Sequence, residues 1–275
     1  MVGRKYGISE AKIQRWIKEG RGKGHKEDYK PWLTVRDISS EGRSHRVFGH
    51  KTQRTHHLFS DLELAVFLLL DWHPSTCDVR EQFPLDRDKT AEISNEAGIK
   101  HPQSSGVSHV MTSDFLVNTS IKERKLFALQ AKYTNALSDP RTIEKLEIER
   151  RYWKRSNVPW MLITEKEIPK IVFQNISWLY PAQDEQIKIE VIIVRADFYR
   201  KQFETNSKKR LIDICKLIDT AYELPAGESL REVRQLLAKR VFNFDITKQI
   251  TKLTGADFIA EDINLMREVL NASNQ

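Results

Sequence analysis

A glutamine and a lysine stand two positions apart at the end of an apolar run, in KLFALQAKY at residues 125–133. If this run is a β-strand, its side chains alternate between two faces, so Gln130 and Lys132 share a face about 7 Å apart. A lysine on a buried face is costly unless an anionic site stabilises it. The earlier run MTSDFLVNT, residues 111–119, predicts a second strand joined to the first by a polar turn. Such a hairpin brings Asp114 beside Gln130, so the three side chains form a candidate site at one sheet edge.

Asp114, Gln130 and Lys132 have the residue types and spacing of the PD-(D/E)xK nucleases, which this pattern resembles. Oxygen atoms of Asp114 and Gln130 are the hard ligands that Mg²⁺ prefers, and the ion would polarise a phosphate and lower the pKa of a water. Lys132 would position or activate that water and offset charge on the phosphate. Glu63, on a preceding helix, would add a carboxylate. The pattern alone is weak, because lysines often follow strands and Glu63 also fits a helix cap.

Caps and apolar runs predict the elements that position these residues. Ser60 and Glu63 are spaced as a capping box at the start of SDLELAVFLLLDW, and Asp139-Pro140 opens a helix through about Arg155. VREQFPL and VPWMLIT add strands before and after the hairpin, and a further helix reaches about residue 178. The order of helix, three strands, helix, strand and helix predicts an α/β fold, with a mixed sheet flanked by helices.

Two polar segments carry no signal for regular structure. GRGKGHKEDYKPW, residues 20–32, is interpreted as a flexible basic loop, because it lacks the spacing of a phosphate-binding loop. Residues 86–108 are interpreted as a long surface loop.

A break at Tyr180-Pro181 predicts two domains, a catalytic one at 1–180 and a second one at 181–275. Helical periods at about 184–204, 208–222 and 229–240, a strand in FNFDITKQI and a closing helical segment predict a small, mainly helical, winged-helix-like module.

Charge is unevenly distributed along the 275 residues, whose formal net charge is +7. Residues 1–57 hold 14 Lys and Arg against 6 Asp and Glu, whereas residues 181–275 hold 15 against 15. A basic surplus at one end is typical of a polyanion-binding arm, although a solvated face explains it equally well. The arm contains a predicted hairpin, SHRVFGHKTQRTHH, and its candidate DNA contacts are Arg43, Arg46, Lys51 and Arg54.

Several other classes of protein are disfavoured. No run approaches the roughly 18 apolar residues of a membrane span, and the amino terminus lacks a signal-peptide core, so a cytoplasmic protein is expected. Cys77 and Cys215 are far apart, which disfavours a disulfide framework or a structural zinc site.

Longer segments along the chain resemble TnsA-type proteins, the endonuclease subunits of heteromeric cut-and-paste transposases. The segments are GRGKGHKEDYKPWLTVRD, GRSHRVFGHKTQRTHHLFSDLELAVFL, DVREQFPL and IEKLEIERRYWKRSNVPW. The resemblance implies a restriction-endonuclease-like core with Glu63, Asp114 and Lys132 as catalytic residues and Gln130 at the start of the triplet. Glutamine leaves one negative charge fewer to hold the metal than the acidic residue of most related nucleases.

The resemblance also implies a function and partners. It implies an Mg²⁺-dependent enzyme, with Mn²⁺ as a substitute, that cuts the strand at the 5′ ends of a transposon. An RNase-H-like transposase would cut and join the 3′ ends, and an AAA+ ATPase would regulate both. Two alternatives stay open: a self-sufficient restriction-type endonuclease and a non-catalytic DNA-binding subunit.

Glu149 is a further candidate outside the catalytic set. Leu146, Glu149 and Trp153 recur at helical spacing, so Glu149 is expected either to face the sheet or to pair with a neighbouring arginine or lysine.

Overall fold

The computed structural model describes residues 8–37 and 42–260, which form two compact units divided between Ile168 and Pro169. The division falls earlier than the predicted break at Tyr180-Pro181, because the helix before that break belongs to the second unit. Within the described residues no helix is long and apolar enough to cross a membrane.

The first unit begins with a helix, a β-hairpin and a second helix. These are α1 (Glu10–Lys18), β1 (His45–Gly49), β2 (Arg54–Leu58) and α2 (Asp61–Trp72). Helix α2 starts where the cap signal predicts, since the Ser60 hydroxyl accepts a hydrogen bond from the Glu63 N–H at 3.0 Å. It is apolar on most sides and largely buried, so it fixes the residues of its first turn against the rest of the unit.

A four-stranded mixed sheet follows, flanked by helices as predicted. The strands of this sheet and the elements between them are, in chain order, β3 (Thr76–Pro84), α3 (Arg87–Glu96), β4 (Gln103–Ser104), β5 (Val107–Ser108), β6 (Thr112–Thr119), β7 (Leu126–Ala131), α4 (Pro140–Arg155) and β8 (Trp160–Ile163). The sheet order is β3-β6-β7-β8, with β6 antiparallel to both neighbours and β7 parallel to β8. Leu116 and Ala128, paired across β6 and β7, pack with Leu85 and Trp153 in one core cluster.

The interpretation of residues 86–108 as a loop was wrong. Asp86 caps helix α3 by accepting the N–H groups of Asp88 and Lys89 at 3.0 and 3.1 Å, and β4 pairs with β5 as a short hairpin. The helix buries Thr90, Ile93 and Ser94, a stripe with one large apolar side chain. So narrow an apolar stripe leaves almost no periodic signal in the sequence.

The segment at 20–32 is folded rather than a flexible loop. Its chain reverses through hydrogen bonds between Gly22 N–H and Lys30 O at 2.6 Å and between Lys30 N–H and Lys23 O at 3.1 Å. Gly22 has φ +78°, and a Cβ there would lie 2.2 Å from Cγ of Pro84. The glycine is therefore needed for close packing of this turn against the end of β3.

Helix α4 confirms the predicted start at Asp139-Pro140. The Asp139 carboxylate accepts from the Thr142 N–H at 3.0 Å, and the proline occupies the first helical turn. The inward face of α4 buries Leu146, Glu149 and Trp153.

The second unit is mainly helical, as predicted. Its elements are α5 (Lys170–Leu179), α6 (Ile189–Thr205), α7 (Leu211–Ala221), α8 (Glu228–Ala238), β9 (Phe242–Asn243) and β10 (Ile259–Ala260). The two strands pair in antiparallel orientation over two residues each. The winged-helix interpretation stays a prediction, and most of the closing helical segment lies outside the described residues.

Candidate active site

A cleft of about 870 Å³ in the first unit brings the predicted catalytic residues together. Glu63 from α2, Asp114 from β6, Gln130 from β7 and Lys132 from the residues after β7 all line it. The sheet positions three of them because β6 and β7 are neighbours, and α2 brings the fourth from a distant part of the sequence.

Asp114 and Gln130 are fixed by hydrogen bonds across the two strands. The regular β6–β7 pairing ends at Phe115 and Leu129, one residue before the site. There the Gln130 Oε1 accepts the backbone N–H of Asp114 at 3.1 Å, and the Asp114 Oδ2 accepts the backbone N–H of Ala131 at 2.8 Å. Beyond the last backbone pair, side-chain hydrogen bonds therefore connect the two strands and fix the positions of the Asp114 carboxylate and the Gln130 amide.

Glu63 combines a structural contact with a position in the cleft. Its Oε2 accepts the Phe59 N–H at 2.9 Å, and its Oε1 accepts the Ser60 hydroxyl at 3.0 Å. Each carboxylate oxygen can accept more than one hydrogen bond or bind a cation as well. The cap and the candidate metal ligand are consequently compatible, since the cap anchors the carboxylate that lines the cleft.

Glu63 is buried close to a second carboxylate, that of Asp114. Burial, and then the nearby charge of Asp114, raise the pKa of Glu63 well above its usual range. The bonds from Phe59 and Ser60 and the charge of Lys132 act in the opposite direction. Two buried carboxylates close to each other favour the binding of a cation.

Lys132 contributes an ammonium group to the lining of this cleft. Its backbone N–H donates to Ile163 O at 2.9 Å, which continues the parallel pairing of β7 with β8. Across the described parts of the chain, the Lys132 side chain forms no salt bridge with a carboxylate. The ammonium group remains available for an anionic substrate.

The donor set suits a hard divalent cation that also binds substrate. Within residues 8–37 and 42–260, no three His, Cys, Asp or Glu side chains are grouped as metal ligands. Glu63 and Asp114 supply two carboxylates, and Gln130 supplies a neutral oxygen. Mg²⁺ is typically held by one or two carboxylates together with waters and substrate phosphates, so these residues fit that ion.

Comparisons with known proteins agree over nearly the whole chain. The protein-family model described as TnsA-like endonuclease N terminal matches residues 73–165. A second family model, described as TnsA endonuclease C terminal, matches residues 167–246. The chain is 45% identical over 267 residues to the Transposon Tn7 transposition protein TnsA of Escherichia coli, with 97% of each chain covered. The chain belongs to the TnsA endonuclease family. It is therefore a member of a family of transposon endonucleases.

One residue of this TnsA-family site was not predicted from the sequence. Gln82 of β3 is buried in the cleft, with its Nε2 3.5 Å from Oε2 of Glu63 and 3.4 Å from Oδ1 of Asp114. Its backbone has φ +47°. No pattern in VREQFPL indicates that conformation, so the sequence offers no signal for this position.

Glu149 faces the sheet, which is one of the two placements predicted for it. Its Oε1 accepts the Ser113 hydroxyl at 2.6 Å and the Trp160 indole N–H at 2.9 Å. Burial raises its pKa to about 8. The neighbouring Arg150 pairs instead with Glu147, at 2.7 Å.

The four candidate DNA contacts of this TnsA-family chain occupy different environments. Arg43 is 79% exposed and pairs with Asp61 at 2.7 Å, and Arg46 is exposed on β1. The Lys51 ammonium donates to the carbonyl groups of Pro74 and Thr76. Arg54 lies in a buried cluster, so the four side chains do not share one surface role.

Arg54 pairs with a fully buried carboxylate. Its guanidinium donates to both oxygens of Glu81, at 2.8 and 2.5 Å, and only 9% of the Arg54 side chain is exposed. The Nδ1 of His56 lies 2.8 Å from Glu81 Oε2. Burial alone would raise the pKa of Glu81, but His56 and Arg54 hold it far below its usual range. His56 is therefore packed against this carboxylate inside the unit.

Proposed function

We propose that this chain cuts, at each transposon end, the DNA strand that carries the 5′ end of the transposon. The observation that carries the proposal is the convergence of Glu63, Asp114, Gln130 and Lys132 on one cleft. Membership of the TnsA endonuclease family supports the choice of a transposon end as substrate.

We assign Glu63, Asp114 and Gln130 to an Mg²⁺ site that also accepts Mn²⁺. When bound, the ion supplies Lewis-acid polarisation of the phosphate and a lowered pKa for a coordinated water. The protein groups contribute position: Ala131 N–H and Phe59 N–H hold the two carboxylates at 2.8 and 2.9 Å. Lys132 orients the attacking water and offsets the negative charge that develops on the phosphate in the transition state.

A further basic residue of the cleft lining suits a DNA backbone. Lys145 of α4 lines it, is exposed and makes no salt bridge within the described residues. The Nε2 of His109, also in the lining, is buried and has no hydrogen-bond partner in the described parts of the chain. Burial and the charge of Lys145 lower the pKa of His109, which disfavours a charged ring beside Lys145. We assign Lys145 to a phosphate flanking the cleaved bond.

We assign the remaining steps of transposition to partner proteins in the bacterial cytoplasm. An RNase-H-like transposase subunit cuts and joins the 3′ ends, and an AAA+ ATPase regulates the assembly. The balanced charge of residues 181–275 suits contacts with proteins better than contacts with phosphates. Exposed apolar side chains in the second unit, such as Val194 at 69% exposure, support the same assignment.

Cleavage of labelled transposon-end DNA tests this function. The wild-type chain with Mg²⁺ and its transposase partner is expected to cut, and the Asp114→Asn variant is expected to bind the same DNA without cutting. Cutting of a specific duplex by the chain alone would favour the self-sufficient endonuclease. Undiminished cutting and excision with Asp114→Asn would favour a non-catalytic DNA-binding subunit.

A further inference from the structure

Gln82 lies between the two carboxylates of the cleft and contacts both. Its Nε2 forms long hydrogen bonds with Glu63 Oε2, at 3.5 Å, and with Asp114 Oδ1, at 3.4 Å. Its Oε1 accepts the hydroxyl of Thr112 at 3.1 Å. The side chain is 4% exposed, and both ends of its amide are occupied by neighbouring groups.

The backbone at Gln82 departs from the strand that contains it. In the pairing of β3 with β6, Glu81 pairs with Phe115 and Phe83 pairs with Ser113, but Gln82 itself has no partner. Its φ of +47° is left-handed, a conformation unfavourable for any residue with a side chain other than glycine's. The Gln82 carbonyl accepts the N–H of Trp32 at 3.2 Å instead. Strain of this kind persists where surrounding structure enforces it, often at functional sites.

A neutral amide is chemically suited to this position. Two buried carboxylates repel each other, and an amide can donate one N–H to each without bringing a further charge into the site. An arginine or lysine between them would neutralise the pair permanently and would compete with a metal ion for the same oxygens. The bonds to Nε2 use one oxygen of each carboxylate, and the remaining lone pairs stay available to a divalent cation.

We propose that Gln82 is a positioning residue of the metal site, which holds Glu63 and Asp114 at the spacing for a divalent cation. This inference rests on the proposed metal-dependent nuclease function. It concerns binding of the ion, because Gln82 acts through the two carboxylates. Loss of an outer partner of a metal ligand typically weakens metal binding about tenfold to a hundredfold.

Three substitutions separate positioning from a purely structural role. Gln82→Met keeps the length of the side chain and removes both N–H donors. Gln82→Glu places a third carboxylate in the same position. Gln53→Met is the matched control, since Gln53 is an exposed glutamine that also has a left-handed backbone, with φ +54°, outside the cleft.

Mn²⁺ binding to the full-length chain, titrated by electron paramagnetic resonance with and without a transposon-end duplex, tests the proposal. We expect Gln82→Met to weaken binding about tenfold or more, Gln82→Glu to tighten it, and Gln53→Met to leave it unchanged. Cutting by Gln82→Met should then recover as the metal concentration rises, which a folding defect would not allow. Thermal unfolding in EDTA verifies that each variant is folded.

Two results would overturn the inference in distinguishable ways. Wild-type affinity in Gln82→Met, or an affinity unchanged in Gln82→Glu, would reduce Gln82 to a buried polar residue and would leave the nuclease function intact. If Asp114→Asn removed no Mn²⁺ binding from the protein, the metal site itself would be refuted, and the role of Gln82 with it.

Discussion

Asp114 of β6 and Gln130 of β7 connect their two strands through side-chain hydrogen bonds. Gln130 Oε1 accepts the Asp114 N–H at 3.1 Å, and Asp114 Oδ2 accepts the N–H of Ala131, next to Gln130, at 2.8 Å. One lone pair of the Gln130 oxygen is therefore already used by the protein. Gln130 has capacity for one further contact, and it brings no charge to the pair formed by Glu63 and Asp114.

Replacing Gln130 by glutamate should tighten metal binding. The substitution keeps an oxygen for the Asp114 N–H and adds a negative charge to the site. At an effective dielectric of about 20, a unit charge at about 4 Å from the ion is worth more than the roughly 1.4 kcal/mol of a tenfold change. Mn²⁺ titration should show an affinity at least about tenfold higher, with a lower Tm in EDTA. An affinity equal to that of wild type would place Gln130 outside the metal site.

Glu149 should make the metal-free protein less stable as the pH rises. Burial raises its folded-state pKa from 4.5 to about 8, so its contribution is fully present below pH 4.5 and is lost as the pH rises through 8. Glu149→Gln keeps an oxygen for Ser113 and Trp160 without this titration. Chemical denaturation in EDTA should show the free energy of unfolding of wild type decreasing between about pH 5 and 8.5. This decrease should exceed that of Glu149→Gln by on the order of 3 kcal/mol.

Glu147→Gln is the control for that experiment, on the same helix. Arg150, and after it Arg151, hold the pKa of Glu147 at about 2, so its titration lies below the tested range. It should follow the wild-type pH dependence. Parallel curves for wild type and Glu149→Gln would contradict the raised pKa.

Lys145 should contact DNA, whereas a lysine elsewhere on the same helix should not. Lys145 lines the cleft, and the exposed Lys154 does not. Lys145→Ala should weaken binding to any duplex and reduce the slope of log affinity against log salt by about 1, the effect of losing one phosphate contact. Fluorescence anisotropy over a range of salt concentrations measures both. Equal slopes for Lys145→Ala and Lys154→Ala would refute the assignment.

Arg54 and Arg46 should differ in what their loss affects. Arg54→Ala leaves Glu81 buried without the guanidinium that contacts both of its oxygens, which typically costs about 3–5 kcal/mol of folding free energy. Arg46→Ala removes an exposed charge, so stability should change by less than about 0.5 kcal/mol while DNA binding weakens. Denaturation and anisotropy on both variants distinguish the two roles. A stable Arg54→Ala variant with impaired DNA binding would reverse the assignment of Arg54.

Local signals in the sequence predicted much of the fold. The Ser60 cap, the Asp139-Pro140 helix start and the alternating runs of β6 and β7 each depend on residues close together in sequence. The same alternation brought Asp114 beside Gln130, because strands joined by a short turn pair with little ambiguity.

Long-range features were beyond such reasoning. Arg54 pairs with a carboxylate 27 positions away, and a basic residue in a basic arm gives no indication of that burial. Helix α3 buries too few apolar side chains to show a helical period. The left-handed backbone at Gln82 follows from packing around β3, which no local pattern encodes.

Mapping the nicks on labelled transposon-end DNA, at nucleotide resolution and with Mg²⁺ and the partner proteins, tests the central claim most directly. Lys132→Ala should lose only the nick on the strand with the 5′ end, while cutting of the 3′ end by the partner continues. Lys125→Ala, on the exposed turn before β7, should cut as wild type does. Persistence of the 5′-strand nick in Lys132→Ala would contradict the assignment of this cleft as the nuclease site.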